Sequence, residues 1–380
     1  MGSSTSNQCT PGYIYNITLP RMVDFFLYDE TERIVITIVN PIIFSIGLIG
    51  NLAFLFVMFR IPRMRTVTNI YLTNLACADI IFLSIAILDK LSRYYISPIA
   101  GDQLCIGQAG CRSLYTVMNA AYYASLYLIT MVALEKYYAI CKPIQHRLFG
   151  SKERSYKFIL AGWIGAFAFA CALLPGYWEL LVTCVTWPKF GGDFSHLPNV
   201  FALCASIDDW AIVYVNGLQA GPFIITLILN TIMYVLIIKK VRQQTQITPG
   251  NTTNNSRDLR RTKIRNQVTI MLVINGVVFF VCLAPFQITS FTSIITRPIG
   301  KYLLTDAQYE MLLHVARIMT YINSAVNPYV YTISNARYRQ AFKDAFLGCC
   351  MSKSRRQFAN ETMTEETQAR SSNTTNTSKM

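Results

Sequence analysis

The chain is 380 residues long, 53% hydrophobic and only 14% charged, with a mean hydropathy of +0.34. That balance excludes an ordinary soluble domain. The formal net charge of +14 would suit nucleic acid, but the basic residues fall between apolar runs of roughly twenty residues, the pattern of a chain whose partner is the lipid bilayer.

The opening, MGSSTSNQCTPGYIYNITLP, is polar and lacks the apolar stretch of a signal peptide, so residues 1–33 are read as a tail. Seven apolar spans follow, near 34–59, 67–93, 108–140, 155–178, 210–241, 263–295 and 307–332. From Cys111 to Lys136 an α-helix would run roughly 37 Å, enough to cross about 30 Å of hydrocarbon. The predicted fold class is an all-α membrane protein, a seven-helix bundle over 34–332.

Lys and Arg set its orientation. Arg60, Arg63 and Arg65 follow the first span, Lys142, Arg147, Lys152, Arg154 and Lys157 the third, and a longer basic run from Lys239 to Arg265 the fifth. The alternate loops are poorer in these residues. The positive-inside rule then puts the N-terminus outside a plasma membrane and the C-terminus in the cytoplasm. The sequon at Asn16 falls outside and is a glycosylation candidate, whereas Asn251, Asn360, Asn373 and Asn376 fall inside. Cys9, Cys105, Cys111, Cys184 and Cys204 lie at the oxidising side. Their odd number leaves one free or paired with another chain.

Polar residues recur inside the spans. The first contains GLIGN, ending in Asn51, and the second NLACAD, ending in Asp79. Ser125 lies mid-way along the third, and Asn323, Asn327 and Tyr331 follow one another at four-residue spacing in the seventh. An ionisable group at that depth implies a function and a partner. A carboxylate ringed by hydroxyl and amide oxygens suits a small hard cation, most simply sodium, through Asp79, Ser125, Asn323 and Asn327; the alternative is a polar core that only fixes helix packing. Pro328 would free a backbone carbonyl for polar neighbours or water to satisfy.

These motifs, with Cys111, EKYYAICKP at the foot of the third span, Trp163, Pro222, FFVCLAP in the sixth and NSAVNPYVY in the seventh, resemble those of class A, rhodopsin-like G-protein-coupled receptors. Stretches such as MRTVTNIYLTNLACAD look like the neuropeptide branch, near the thyrotropin-releasing-hormone, neuromedin U and FMRFamide receptor groups. The resemblance implies heterotrimeric G proteins, arrestin and receptor kinases as partners, and sodium as an allosteric ligand that favours the inactive state. It assigns the activation switch to Glu135, Lys136, Tyr137, Phe279, Leu283, Pro285, Pro328 and Tyr331. Three residues depart from the family pattern. Lys136 replaces an Arg, which exchanges a planar fork for a point charge. Leu283 replaces a Trp, and Asn230 a tyrosine. Lys136 and Leu283 motivate an alternative, a scavenger or decoy that binds ligand without activating G protein.

The resemblance also places a ligand pocket in the outer third of the bundle. The residue that is Asp in aminergic relatives is Met118, and the retinal lysine of opsins is Tyr321, so both ligand classes are disfavoured and a short extracellular peptide remains. The expected lining comprises Asp89 and Lys90 in the second span, Tyr115, Met118, Asn119 and Tyr122 in the third, Phe286, Gln287 and Ser290 in the sixth, and Arg317 and Tyr321 in the seventh. Arg317 either pairs with Asp89 or meets a ligand carboxylate or amide carbonyl. ELLVTCVTW and NVFALCAS read as a β-hairpin over this pocket, with Cys204 as the partner of Cys111 and Cys184 left for Cys105 or Cys9.

After Tyr331, the spacing of Tyr338, Phe342 and Phe346 predicts an amphipathic membrane-surface helix over 333–348. Cys349 and Cys350 are palmitoylation candidates, and the polar tail 349–380 is read as disordered. The only histidines, His146, His196 and His314, are far apart in sequence. With no metal cluster, phosphate loop or nucleophile triad, no metal site other than sodium and no enzyme activity are predicted.

Overall fold

The computed structural model describes residues 9–10, 13–149, 151–190, 192–246, 256–299 and 305–347. Seven long helices follow the apolar spans: Glu30–Arg60, Val67–Ile96, Gly107–Cys141, Lys152–Ala172, Asp209–Gln246, Ser256–Ile299 and Asp306–Ser334. The first six contain stretches long and apolar enough to cross a membrane. The seventh carries Glu310, His314 and Arg317 in its first half, yet it packs between the first, second and sixth helices.

Local chemistry sets the helix ends. Thr66 accepts a hydrogen bond from the Asn69 amide, Ser151 from Arg154, and Thr305 forms a reciprocal box with Gln308. The first helix widens into a π-turn over Val35–Val39, just before Pro41, whose ring nitrogen cannot donate to the ladder. The fourth helix stops at Ala172 rather than running to 178. A 3₁₀ turn, Leu174–Tyr177, containing Pro175 takes over.

The first helix lies close against its neighbours. A Cβ on Gly47 would sit 2.6 Å from Leu83 Cδ1 and 3.0 Å from Ala325 Cβ, and one on Gly50 would sit 2.7 Å from the Tyr329 ring. The GLIGN glycines are therefore contact points between the first helix and the second and seventh.

One end of the bundle carries a three-stranded sheet. Strand β1 (Ile14–Asn16) runs parallel to β2 (Glu179–Thr186), which pairs antiparallel with β3 (Val200–Ala205). The hairpin matches the sequence expectation. The N-terminal strand does not: part of the segment read as a tail is built into the fold. Residues 13–28 form β1, a 3₁₀ turn over Pro20–Phe26 and a bridge from Leu27 to Ile99. Ile17, Val23, Ile99, Val185, Trp187, Leu197 and Phe201 make a small separate core beneath them. The free edge of β3 is covered. Asp102 Oδ1 accepts from the Ala202 amide at 3.1 Å, and Gln103 Oε1 from the Cys204 amide at 2.6 Å.

At the other end Asn335 terminates the seventh helix and caps a short helix over 336–347, accepting from the Arg337 amide at 2.9 Å. Tyr338 is buried and donates to Asn69 Oδ1, Phe342 packs on the core, and Phe346 lies 5.1 Å from the Phe56 ring. Cys349, Cys350 and the 349–380 tail lie outside the described residues.

Candidate functional site: a cavity, a polar core and a charged foot

Under the sheet lies a cavity of about 470 Å³ between the second, third, sixth and seventh helices. Two disulfides tether its roof. Cys111, at the start of the third helix, is bonded to Cys204 in β3, and Cys9 to Cys184 in β2. Cys105 is a free, exposed thiol.

Of the residues assigned to the pocket, Asp89, Lys90, Tyr115, Met118, Asn119, Tyr122, Phe286, Arg317 and Tyr321 line the cavity. Gln287 and Ser290 do not. Both are buried between helices. Gln287 Nε2 donates to the Tyr122 hydroxyl at 3.1 Å, and Ser290 Oγ to the Phe286 carbonyl one turn back. Tyr28, Glu32, Gln103 and His314 also line the wall. Tyr28 and Gln103 lie outside the long helices, and Glu32 is in the first turn of the first helix, within the segment read as a tail; their sequence carries no periodicity to show which way they face. Burial raises the Tyr28 phenol above its ordinary value.

Asp89 does not pair with Arg317. Its Oδ2 is 2.7 Å from Arg93 Nη2, one turn further along the same helix, and Arg93 Nη1 also donates to the Gly101 carbonyl. The four-residue spacing made this pair readable in the sequence. Tyr115 accepts from Gln103 Nε2, and Asn119 Nδ2 donates to the Tyr177 hydroxyl at 2.9 Å. The polar wall is thereby held in place from the sheet side.

Deeper in the bundle, Asp79 is fully buried. Asn327 Nδ2 donates to its Oδ2 at 2.7 Å, and Ser125 Oγ lies 3.4 Å from its Oδ1. Pro328 cannot donate to the Ser324 carbonyl four residues back, and Asn51 Nδ2 takes up that acceptor at 3.0 Å while also donating to Gly47 O at 2.9 Å. The polarity of the first, second and seventh helices is thus one network across helices. Asn323 Oδ1 is buried with no partner among the described residues. Tyr331 packs between Phe54 and Tyr338, with ring centroids at 5.5 and 5.9 Å. Phe279 and Leu283, a turn apart on the sixth helix, share one apolar cluster. Asn230 donates to Thr130 Oγ1 at 2.9 Å, so it ties the fifth helix to the third.

At the foot of the third helix, Glu135 is held on both oxygens. Lys136 Nζ is 2.8 Å from Oε2, Thr68 Oγ1 donates to Oε2 at 2.9 Å, and His146 Nε2 is 3.4 Å from Oε1. Lys136 also donates to Thr68 Oγ1. The second helix, the third helix and the short helix Pro143–Phe149 meet at this carboxylate.

Residues 50–331 match the family described as 7 transmembrane receptor (rhodopsin family). Similar curated proteins include the mouse neuromedin-U receptor 2, 25% identical over 83% of this chain and 76% of the relative. The chicken thyrotropin-releasing hormone receptor is 26% identical over 84% and 80%, and the rat neurotensin receptor type 1 is 24% identical over 91% and 83%. A match over most of the bundle, on a seven-helix fold, is decisive: the chain belongs to the rhodopsin family of seven-transmembrane, G-protein-coupled receptors, and is a multi-pass membrane protein and not an enzyme.

Proposed function

We propose that the chain is a plasma-membrane receptor for a short extracellular peptide, with the sheet outside and the 336–347 helix inside, and that ligand binding activates a heterotrimeric G protein. The observation that carries this reading is the cavity roofed by a doubly tethered sheet. A volume of about 470 Å³ accommodates a few residues of a peptide, and the roof leaves polar groups to orient it. Disulfides at this end fit an oxidising exterior, and the basic loops at the other end fit the cytoplasm. The relatives named above are, by name, receptors for neuromedin U, neurotensin and thyrotropin-releasing hormone, which supports the same ligand class.

The polar core suits the switching role. The Asp79 carboxylate and Ser125 hydroxyl, with Asn323 Oδ1 a turn from Asn327 on the seventh helix and without a partner among the described residues, offer the kind of oxygens that suit sodium. When bound, the ion supplies a positive charge that favours the packed arrangement of the second, third and seventh helices. Movement of the seventh helix about Asn327, Pro328 and Tyr331, together with the sixth around Phe279, Leu283 and Pro285, opens the foot where Glu135, Lys136 and Tyr137 sit. Arrestin and receptor kinases then act on the Ser- and Thr-rich tail. Asn16, exposed in β1, is accessible for glycosylation.

The test is a peptide-library screen on cells expressing the full chain, reading G-protein dissociation, arrestin recruitment and ligand uptake. Ligand-driven G-protein dissociation is expected. Ligand-driven uptake with no G-protein response would replace this reading with the scavenger, which the Lys136 and Leu283 departures favour.

A further inference from the structure

The charges facing the cavity do not balance. Among the described residues two carboxylates, Glu32 and Asp89, line it together with three basic side chains, Lys90, Arg93 and Arg317. Asp89 is satisfied by Arg93 at 2.7 Å. Glu32 lies beside His314, with Oε1 to Nε2 at 3.7 Å. That leaves Lys90 and Arg317 with no carboxylate within ion-pair distance among the described residues. The Tyr321 ring, one turn from Arg317 on the seventh helix, lies 5.7 Å from Lys90 Nζ. A cation–π contact at that range offsets only part of the cost of withdrawing an ammonium from water. Counted as formal charges, with His314 neutral, the lining has one more basic than acidic group.

We propose that this cavity selects a ligand bearing a carboxylate, seated between Lys90 and Arg317. This assignment rests on the peptide-receptor reading above and narrows its ligand class. A single excess charge matches a monoanion: a carboxylate neutralises the wall, whereas a phosphate dianion would leave it negative. The planar guanidinium of Arg317 can present two parallel donors to such a group, and Lys90 adds a point charge from the neighbouring helix. Below these cations Phe82, Met118 and Tyr122 offer an apolar floor, which suits an apolar group next to the carboxylate. A carboxamide terminus would place its own N–H donors against two cations and leave both unneutralised.

The carboxylate can come from a peptide's C-terminus or from an acidic side chain, and three probe sets separate these sources. The first is a tetrapeptide library without Asp or Glu, as free acids. The second is the same library as carboxamides. The third is a carboxamide library with one Glu at each position in turn. Binding is read as thermal stabilisation of the full-length receptor purified in detergent, for the wild type and for Lys90→Gln, Arg317→Gln and Arg317→Lys. The variants' ligand-free unfolding midpoints are matched first. Stabilisation by free acids is expected, with affinity about 10- to 100-fold weaker for either Gln variant and partial retention for Arg317→Lys. Stabilisation by the third set alone keeps the carboxylate but moves it to a side chain. Equal stabilisation by the first two libraries, none by any acid, or acid binding indifferent to both Gln variants overturns the proposal. Acids that stabilise the receptor but release no G protein in cells leave the carboxylate site standing and sink the signalling reading instead.

Discussion

Replacing Thr68 by Val tests how the charged foot holds the resting receptor. The exchange keeps the β-branched shape and removes only the hydroxyl, which donates to Glu135 at 2.9 Å and accepts from Lys136. Helix capping is not disturbed, because Thr66 is the N-cap. A hydrogen bond to a charged group contributes roughly 1.5–3 kcal/mol. Lys136 still faces Glu135 at 2.8 Å, so the loss should fall at the low end, near 1.5 kcal/mol, or about tenfold in an equilibrium constant. If the contact belongs to the resting arrangement, Thr68→Val raises ligand-free G-protein dissociation up to about tenfold. Glu135→Gln, which removes the charge that Lys136 answers, raises it further. Lys136→Arg preserves or increases the ligand-driven response, because once the foot opens a guanidinium fork presents parallel donors to a G-protein helix where an ammonium presents a point charge. The assay is G-protein dissociation by energy transfer at matched surface expression. Basal signal unchanged in Thr68→Val but elevated in Glu135→Gln would refute the role assigned to the hydroxyl.

Other outcomes follow from the same geometry. Cys111→Ser and Cys204→Ser should each abolish most surface ligand binding. Cys9→Ser should weaken binding less, because β2 and β3 remain paired without it; radioligand or fluorescent-ligand binding at matched expression checks this, and equal losses would contradict it. Asp79→Asn should remove the effect of sodium on agonist affinity, read by competition binding with sodium replaced by a large organic cation; a persistent effect points to another site. Gly162→Ala should lower the thermal midpoint, since a Cβ there would lie 2.2 Å from a Tyr127 ring whose hydroxyl is tied to the Phe158 carbonyl. The cost should be roughly 1–3 kcal/mol. Gly165→Ala, with nothing within 4 Å, serves as the control and should leave the midpoint unchanged or raise it, because Ala favours a helix interior over Gly.

The sequence by itself determined the helices, their number and their polar residues, because apolar length and proline chemistry are local properties. The hairpin of β2 and β3 was readable for the same reason, from two apolar runs joined by a Gly-containing turn. So was the orphaned carbonyl at Pro328, though not that Asn51, 273 positions away, would take it up. The facing of side chains was a different matter. A membrane helix is surrounded by lipid and by other helices, so it need not show a polar stripe, and neighbouring positions differ by about 100° around its axis. Phe286 lines the cavity while Gln287, the next residue, is turned to Tyr122; only packing against the third helix decided that. Likewise Arg317 is the one partner weighed for Asp89 from the sequence, and the assembled bundle shows Arg93, one turn along, in contact instead. The short strand β1 left no local signal, since three exposed residues have neither length nor alternation. Its place depends on backbone hydrogen bonds to β2 and on the Cys9–Cys184 bond, both made with a segment some 170 residues later, and long-range pairing of that kind exists only once the bundle has brought the two segments together.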